Sequence, residues 1–435
     1  SLNDATWLVA GSIAYDCVYD ALTPAERARV EANVLRPMAE WLSTNHQKEF
    51  DRIHNHGTWA TASVGMLGLV LGDTSYVNRA LYGMTRDRTG GFLRQLDLLF
   101  SPDGYYMEGP YYVRYALMPF YYFAEALERR RPDVGIYAYR DSVVKKGFYS
   151  AIRTLYPNGV FPPINDASRT MGVEAPEAVL ALDLAFARFG RDTTLLGPAA
   201  LQGQVTLSAS GLEVARALAG YRTAPPMRLS SVEFTDGFDG TRGGLGILRT
   251  GAGANATMLL MKYGVHGEGH GHFDKLHFTF FDGGREVVPD YGFARWINVE
   301  PKFGGRYLPE NDSYAMQTVA HNTVVVDRTT QNRAVFDSAE AMWAERHWFD
   351  ARDPNVQGMS ARTDRHYAGV GMQRTMFLVR DARLQHPVVV DLYRLTSATP
   401  HEYDYPLHFR GQPVTTNVPL AVDRTQRTTL GAAFG

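Results

Sequence analysis

Sulfur cross-links and a strong net charge are both missing from this chain. Its 435 residues include a single cysteine, Cys17, so no intrachain disulfide can form. The formal net charge is −2 at pH 7, which gives no long-range field to attract nucleic acid or an anionic membrane. If the ligand is a polyanion, the positive groups that bind it must therefore be local.

Long apolar runs and a secretion signal are missing as well. The longest apolar runs, such as Val64 to Leu71, are far too short to span a bilayer. The first residues, SLNDATWLVAGS, have neither the basic start nor the cleavage site of a signal peptide, and they indicate a helix already under way. We therefore expect that a leader or a longer segment precedes this sequence.

Enough apolar sequence is present for well-packed cores. Hydrophobic residues make up 45% of the chain, which rules out global disorder. At a typical size of about 100–200 residues per domain, the length indicates two domains, or one large domain and one small one.

The first half of the chain has a helical pattern. Thr23, Pro24 and Glu26 give an N-cap, an N1 proline and a capping-box acid in the right order. Apolar side chains then recur at helical spacing and predict one buried stripe, made of Val30, Val34, Met38, Trp41 and Leu42. Further helices are predicted at about 59–71, 111–130, 140–155 and 176–189. Helices joined by such short loops predict either a bundle or an α/α toroid.

The second half has a β pattern. From about Leu229, short β-rich runs occur at 257–262, 276–281, 323–326, 376–379 and 388–393, with turn signals between them. Because no long helical stripes intervene, an antiparallel sheet is favoured over βαβ units. Two prolines in YRTAPPMR place the join near 220–228. We predict a helical domain over residues 1–222 and an antiparallel β-sheet domain over residues 223–435.

Polar, aromatic and imidazole side chains concentrate in four segments. These are HNHG from His54, DGYYMEGPYYVRY from Asp103, HGEGHGHFDK from His266 with VVPDYGFAR after it, and GRY from Gly305 followed by AHNTVVVD. Taken singly, each has a structural explanation, such as a helix cap, a wall of aromatic rings or a tight turn. Four histidines within HGEGHGHFDKLH nevertheless exceed what a sheet core needs. His272, Asp290 and His321 carry imidazole and carboxylate groups that suit Zn²⁺, although ligands so distant have no diagnostic spacing.

Together the motifs resemble those of the heparinase II/III-like polysaccharide lyases, and most closely the alginate and oligoalginate lyases of polysaccharide lyase family 17. The resemblance is carried by NHGTWATAS, DGYYMEGPYYVRYA, HGHFDKL, PDYGFAR, GRYLPENDSY and AHNTVVVD, which begin at Asn55, Asp103, His270, Pro289, Gly305 and Ala320. It extends from about Phe50 to Asp327. It implies an α/α toroid followed by an antiparallel β-sheet domain, and a natural protein that is longer at both ends.

The resemblance also implies roles for individual residues. Asn55 and His56 match the pair that neutralises the substrate carboxylate. Tyr112 matches the catalytic tyrosine of the toroid, an alignment that rests on the Arg114 and Tyr115 that follow it. Tyr307 matches a second catalytic tyrosine from the β-domain. Substrate contacts are expected at His270, Tyr111, Arg114, Tyr115, Arg295 and Arg306, and the ligands of a structural zinc ion at His272, Asp290 and His321.

The implied reaction explains why these residue types are needed. β-Elimination removes the C5 proton of a uronate and expels the oxygen on C4, leaving a C4–C5 double bond. Donors from Asn55 and His56 would stabilise the negative charge that grows on the carboxylate. A tyrosine can act as base or acid, but its usual pKa near 10 is too high for a base at neutral pH. Nearby positive groups such as Arg306, Arg295 and His270 could lower that pKa.

Three other classes of protein compete with this interpretation. A glycoside hydrolase would need two carboxylic acids, for which Asp103 and Glu108 are the best candidates in the helical half. A zinc hydrolase would use a water bound at the predicted metal site. A carbohydrate-binding protein could stack sugars on some of the 24 tyrosines. A lyase for another polyuronate, such as polyglucuronate or heparan sulfate, also stays open.

The expected partner is an acidic polysaccharide or oligosaccharide, and neither nucleic acid nor membrane is expected. A homodimer is one of the assemblies that the prediction allows. The expected location is periplasmic or secreted.

Overall fold

A computed structural model describes residues 2–293 and 307–411 of the chain, and the chain divides into two compact units. The helical unit contains Ser1–Tyr106, Tyr112–Ala151 and Glu174–Ala224. The sheet unit contains Met107–Tyr111, Ile152–Val173 and Pro225–Gly435. The predicted order, with helices first and antiparallel strands second, is confirmed.

Helices account for most of the regular structure before residue 224. In chain order they are α1 Leu2–Val18, α2 Pro24–Val30, α3 Arg36–Glu40, α4 Gln47–Phe50, α5 Asn55–Leu71, α6 Thr74–Tyr82, α7 Phe92–Leu98, α8 Pro110–Arg130, α9 Tyr139–Thr154, α10 Pro176–Arg188, α11 Leu196–Gln202 and α12 Ala209–Ala219, with α13 Phe336–Glu340 much later. None of the helices in the described ranges combines the length and apolar character needed to cross a membrane.

The start of α2 has the predicted capping box. The Thr23 side chain accepts a hydrogen bond from the Glu26 backbone N–H at 3.3 Å, and the Glu26 carboxylate accepts one from the Thr23 backbone N–H at 2.9 Å. These two bonds satisfy N–H groups that the helix itself leaves unpaired.

The predicted buried stripe over residues 30–42 is correct only in part, since Leu42 is buried and Val30 and Met38 pack partly buried against the same core. Val34 and Trp41 are 41% and 47% exposed, whereas Leu35 and Ala39 are buried. Five-residue π turns at Glu31–Leu35 and Trp41–Asn45 interrupt the α-helix. Because each extra residue rotates the following side chains by about 100° around the axis, a pattern based on uninterrupted α-helix misplaces Val34 and Trp41.

Antiparallel strands form the sheet unit. They are β1 Val232–Thr235, β2 Gly244–Thr250, β3 Thr257–Lys262, β4 His277–Asp282, β5 Arg285–Val288, β6 Val325–Val326, β7 Glu345–Asp350, β8 Val356–Thr363, β9 Val370–Val379, β10 Val388–Ser397 and β11 Tyr403–Asp404. Strands β1 to β5 form one sheet in chain order, β10-β9-β8-β7 form a second, and β11 pairs with β6.

One apolar cluster joins the two larger sheets. It includes Leu259 and Met261 from β3 together with Met359 from β8 and Met376 from β9. Side chains of β9 alternate between buried and half-buried, and those of β10 between half-buried and exposed. The second sheet therefore turns one face to this core and the other outward.

Two segments that the sequence assigned to the helical domain, 107–111 and 152–173, group instead with the sheet unit. The side-chain hydroxyl of Tyr156 is 2.9 Å from Thr279 Oγ1 and donates to Glu286 Oε1 at 2.9 Å. Arg249 donates to the Leu155 carbonyl oxygen at 2.6 Å. These hydrogen bonds attach the YPNGVFPPIND loop to strands that follow it by about 100 residues, a contact that no local pattern reveals.

Candidate active site and metal centre

The first candidate segment lies at the start of α5. His54 is the N-cap, and its Nδ1 accepts a hydrogen bond from the His56 backbone N–H at 3.3 Å. Because Nδ1 accepts, a neutral His54 carries its proton on Nε2. Asn55 and His56 are the first two helical residues. They lie where helical N–H groups lack intrahelical partners and where the helix dipole favours negative charge, so this turn suits a carboxylate.

A single buried amide fixes the backbone of this turn. Gln95 Oε1 accepts a hydrogen bond from the His54 backbone N–H at 3.0 Å, and Gln95 Nε2 donates to the Arg52 carbonyl oxygen at 2.7 Å. A Cβ at Gly57 would lie only 1.9 Å from that same carbonyl oxygen. The glycine of HNHG is therefore required by a close backbone approach.

The two predicted carboxylate donors differ in exposure. Asn55 is 2% exposed, whereas the His56 side chain is 36% exposed. The His56 ring meets the His54 ring edge-on, with centroids 4.8 Å apart, and its Nδ1 is 3.7 Å from Glu49 Oε2. The more accessible of the two donors is thus oriented by ring packing and by a nearby carboxylate.

The start of α8 carries the predicted tyrosines. Tyr111 and Tyr112 are in its first turn, and both are half-buried. Arg114 is 5% exposed, and its Nη1 lies 3.0 Å from Glu177 Oε1 in the first turn of α10. The structure thus pairs the charge of Arg114 with a carboxylate of the same unit.

Tyr115 lies against the helical core. Its ring packs on Trp59 with centroids 5.4 Å apart. Burial, with a smaller contribution from Glu177, raises the pKa of Tyr115 to about 12. A phenol with that pKa is a poor base at neutral pH, so a role of Tyr115 in binding fits better than one in proton transfer.

The second predicted tyrosine, Tyr307, lies among the described residues, whereas two predicted arginines do not. Tyr307 is 82% exposed and belongs to the sheet unit, whereas Tyr112 belongs to the helical unit. Arg295 and Arg306 lie outside the described residues. The pairing of the two tyrosines across one sugar therefore stays a prediction.

The three predicted metal ligands converge within the sheet unit. His272, Asp290 and His321 are fully buried, and each offers a ligand atom within 4.8 Å of the other two. His321 Nδ1 is 3.4 Å from Asp290 Oδ2, and the rings of His272 and His321 are 5.3 Å apart. Three segments separated in sequence thus bring two imidazoles and one carboxylate together.

The buried atoms of this cluster fit a cation. Among the described residues, neither His272 Nδ1 nor either ring nitrogen of His321 has a hydrogen-bond partner. Burial alone raises the pKa of Asp290, but His321 and His277 outweigh burial and hold that pKa well below its usual range. An ionised carboxylate beside unpaired imidazole nitrogens is a donor set that suits Zn²⁺, and a cation would supply the missing partner.

Further side chains hold these ligands in place. His277 Nε2 is 3.0 Å from Asp290 Oδ2, and His277 Nδ1 accepts the Asn322 backbone N–H at 2.9 Å. The Asn322 amide donates to the carbonyl oxygen of Pro289, the residue before Asp290, at 3.0 Å. Arg374 is fully buried and donates to the carbonyl oxygens of Leu276 and Asn322, the neighbours of His277 and His321, at 2.7 and 2.5 Å.

Asp166 connects the metal candidates to the predicted substrate contact His270. Its Oδ1 is 3.2 Å from His272 Nε2, and its Oδ2 is 3.5 Å from His270 Nδ1. Asn311 donates a hydrogen bond to Asp166 Oδ1 at 2.7 Å. A carboxylate behind a metal-binding histidine commonly fixes the ring orientation and raises its basicity. Asp166 is therefore placed to orient both histidines.

The carboxylates that a glycoside hydrolase would need are both engaged. Asp103 accepts a hydrogen bond from the Ser101 hydroxyl within its turn. Glu108 is fully buried, and its Oε2 is 3.5 Å from His270 Nε2. Neither geometry adds support for a pair of hydrolytic acids.

Two family models match the chain, "Heparinase II/III-like, C-terminal" over residues 235–431 and "Alginate lyase" over residues 2–160. A curated protein of Stenotrophomonas maltophilia (strain K279a) named "Alginate lyase" is 46% identical over 434 residues, which is 100% of this chain and 58% of that protein. An "Exo-oligoalginate lyase" of Saccharophagus degradans is 44% identical over 412 residues, 95% of this chain and 55% of that protein. The chain is therefore similar to the heparinase II/III-like family over residues 235–431 and to the alginate lyase family over residues 2–160.

The chain spans a little more than half the length of the curated relatives it matches. A solved structure of a heparinase III gene product has a TM-score of 0.61 at 16% identity, covering 92% of this chain and 54% of that one. The heparan sulfate lyase HepC from Pedobacter heparinus has a TM-score of 0.53 at 17% identity, covering 80% and 47%. At such identities the likeness concerns the fold, and it confirms the predicted fold class of an α/α toroid followed by an antiparallel β-sheet domain.

Several residues that support the site were not predicted from the sequence. His277 was within the HGEGHGHFDKLH motif, and Asn322 directly follows His321, so both had a signal in the sequence. Asp166 lies in the loop after α9, and Arg374 lies in the middle of β9. Their roles depend on contacts across more than 50 residues, and no spacing rule could have found them.

Proposed function

We propose that this protein is a polysaccharide lyase that cleaves the 1,4-glycosidic bonds of a uronic-acid polymer or oligomer, alginate in the first place. The observation that carries this proposal is the alignment of nearly the whole chain with two curated relatives named as alginate-degrading lyases. The reaction is a β-elimination that leaves a C4–C5 unsaturated sugar.

The start of α5 supports this chemistry within the helical unit. The C5 proton of a uronate is weakly acidic because the adjacent carboxylate is already negative. As the proton leaves, further charge develops on that carboxylate. Asn55 and His56, together with the positive end of α5, are suited to stabilise the added charge.

The proton transfers are assigned to Tyr112 and Tyr307. A base takes the C5 proton, and the electron pair of the C5–H bond forms the C4–C5 double bond. The bond from C4 to oxygen then breaks, and an acid protonates the leaving oxygen. Tyr112 lies in the first turn of α8, an amphipathic helix, and its side chain is half-buried. The pH dependence of the rate in Tyr112→Phe and Tyr307→Phe would distinguish the base from the acid.

His272, Asp290 and His321 would hold a zinc ion with a structural role. When bound, the ion supplies a positive charge that links three segments of the sheet unit. Elimination needs no activated water, which supports a structural role over a hydrolytic one. The chain's own contribution is orientation, because Asp166 contacts both His272 and the predicted substrate contact His270.

The deciding experiment is incubation with alginate, polyglucuronate, hyaluronan and heparan sulfate while ultraviolet absorbance from the new double bond is followed. Absorbance that grows with alginate supports the proposal. Reducing sugar without absorbance would instead identify a hydrolase, and binding without either product would identify a carbohydrate-binding protein. Absorbance with another polymer alone would reassign the substrate.

Location and assembly remain predictions. A polyuronate is a large polyanion that does not cross membranes unaided, which supports a periplasmic or secreted location. Cell fractionation of the native source tests this, and recovery in the cytosolic fraction would contradict it. A homodimer is tested by light scattering of the purified protein, and a mass of one chain would exclude it.

A further inference from the structure

Four side chains lie side by side, one on each strand, across the outward face of the second sheet. Glu345 on β7 pairs with Arg362 on β8, Arg362 with Gln373 on β9, and Gln373 with Arg394 on β10. Residues paired across neighbouring strands point to the same face. Glu345, Arg362 and Arg394 are exposed, so this is the face that the core does not cover.

The row forms the floor of a cavity of about 460 Å³, within the usual range of ligand sites. Trp343 and Arg365 also line the cavity, and the Arg365 guanidinium lies over the Trp343 ring at 5.2 Å. The lining therefore combines an aromatic ring, an amide and three arginines with two carboxylates, those of Glu345 and Asp364. None of these residues belongs to the proposed elimination or metal groups.

Two of the arginines keep their charge available. Within residues 2–293 and 307–411, neither Arg362 nor Arg394 has an ion-pair or hydrogen-bond partner for its side chain. The Arg365 guanidinium is 3.5 Å from the Glu345 carboxylate, which partly neutralises the charge of Arg365. In a chain of net charge −2, this is a local positive site of the kind that a polyanion ligand requires.

We propose that this cavity binds the carboxylates of an oligouronate and holds the polymer on the sheet unit. A planar guanidinium matches a carboxylate with two parallel hydrogen bonds. Arg362 and Arg394 are two strands apart, about 10 Å at the backbone. That spacing fits an extended polyanion with several carboxylates better than a single small anion. The arginines indicate that the ligand is an anion, whereas its identification as alginate rests on the proposed function.

Fluorine NMR of protein labelled with 5-fluorotryptophan tests the site locally. The Trp343 signal is assigned with Trp343→Phe, and the titration uses an alginate hexasaccharide in a Tyr112→Phe background. We expect the Trp343 signal to shift with the hexasaccharide and not with neutral cellohexaose. In the double variant Arg362→Gln/Arg394→Gln, the apparent Kd for the hexasaccharide should rise at least tenfold. The Kd of the Tyr112→Phe parent should also rise with salt, because the contacts are exposed.

Arg285→Gln is the matched control, since Arg285 is an exposed arginine on β5 outside the cavity. It should bind as the Tyr112→Phe parent does. An unmoved Trp343 signal, an equal shift with cellohexaose, or unchanged affinity in a double variant that melts normally would each overturn the proposal. Lyase activity is assayed separately on wild type, so binding without elimination would refute the proposed function and leave the cavity assignment standing.

Discussion

The two units carry their functional groups in opposite ways. In the helical unit, the candidate groups lie in the first turns of α5 and α8, and His56 and Tyr112 are partly accessible. In the sheet unit, His272, Asp290 and His321 are fully buried and come from three distant segments. Accessible groups at helix starts suit contact with a substrate, and buried polar groups with unpaired atoms suit a bound ion. We therefore expect the groups at the helix starts to control the reaction rate and the buried metal candidates to control the stability of the fold.

The largest effect is expected at Tyr112. Tyr112→Phe removes one hydroxyl and hardly alters packing, so elimination should fall by about 10³-fold or more while the melting temperature is retained. The initial rate of alginate cleavage and the melting temperature are measured for the variant and for wild type. Tyr111→Phe is the control on the same turn. A dead Tyr111→Phe with an active Tyr112→Phe would move the role to the neighbour, and activity in both would remove α8 from the chemistry.

A somewhat smaller loss is expected at the start of α5. His56→Ala should lower kcat by about 10²–10³-fold and change KM less, because the charge it meets grows in the transition state. Steady-state kinetics on alginate oligomers gives the two constants. His46→Ala, a histidine of the same unit that packs on Trp41, should leave both unchanged. A change in KM alone would make the turn a binding clamp.

The sheet unit should respond in stability. His272→Ala, or treatment of wild type with a chelator, should lower the free energy of unfolding by about 2 kcal/mol or more, because buried donors lose their partner. Metal analysis and chemical denaturation measure the two effects. Asp166→Asn should keep the metal but bind it more weakly, and His347→Ala, an exposed histidine of β7, should do neither. A stable but inactive His272→Ala would assign the ion to the chemistry.

The smallest effect concerns Asp236, a buried carboxylate of the sheet unit that takes no part in the site. Burial raises the pKa of Asp236 to about 7, above a usual value near 3.9. The folded state therefore prefers the protonated form. The stability that this preference contributes is present below pH 4 and is lost progressively as pH rises to 7.

Asp236→Asn should remove that pH dependence. Relative to wild type, its stability should improve by about 2–4 kcal/mol between pH 4 and 8. A constant loss of hydrogen bonding to the Gly237 and Val265 N–H groups is expected at every pH. Urea unfolding across this range measures the difference. Asp239→Asn, in the same loop but exposed, should show no such trend, and parallel curves for Asp236→Asn and wild type would contradict the prediction.

Local patterns predicted regular elements well where the backbone is regular. Strand β3 was predicted at 257–262 and spans Thr257–Lys262, because a short apolar run bounded by turn signals is typical of a buried strand even with Thr257 as its only β-branched residue. Helix α5 was predicted from 59 but begins at Asn55. The glycine of HNHG lies inside this helix, where the close approach of the Arg52 carbonyl oxygen requires it. Strand β2 was not predicted, because Gly244 and Gly246 weaken its β pattern while serving close packing against neighbours.

By itself, the sequence determined which elements form, their order, and the residue types available for chemistry, since capping boxes, periodicity and motif residues act over a few positions. Only the tertiary structure decided which buried groups meet. His272, Asp290 and His321 lie within reach of one ion because β4, β5 and the AHN segment are held together by Asn322 and Arg374. It also decided that Asp166 joins two histidines and that Arg362 and Arg394 share one face. Such contacts depend on loop closure over 20 to more than 100 residues, a distance at which hydrogen bonding and packing, rather than local propensity, select the partner.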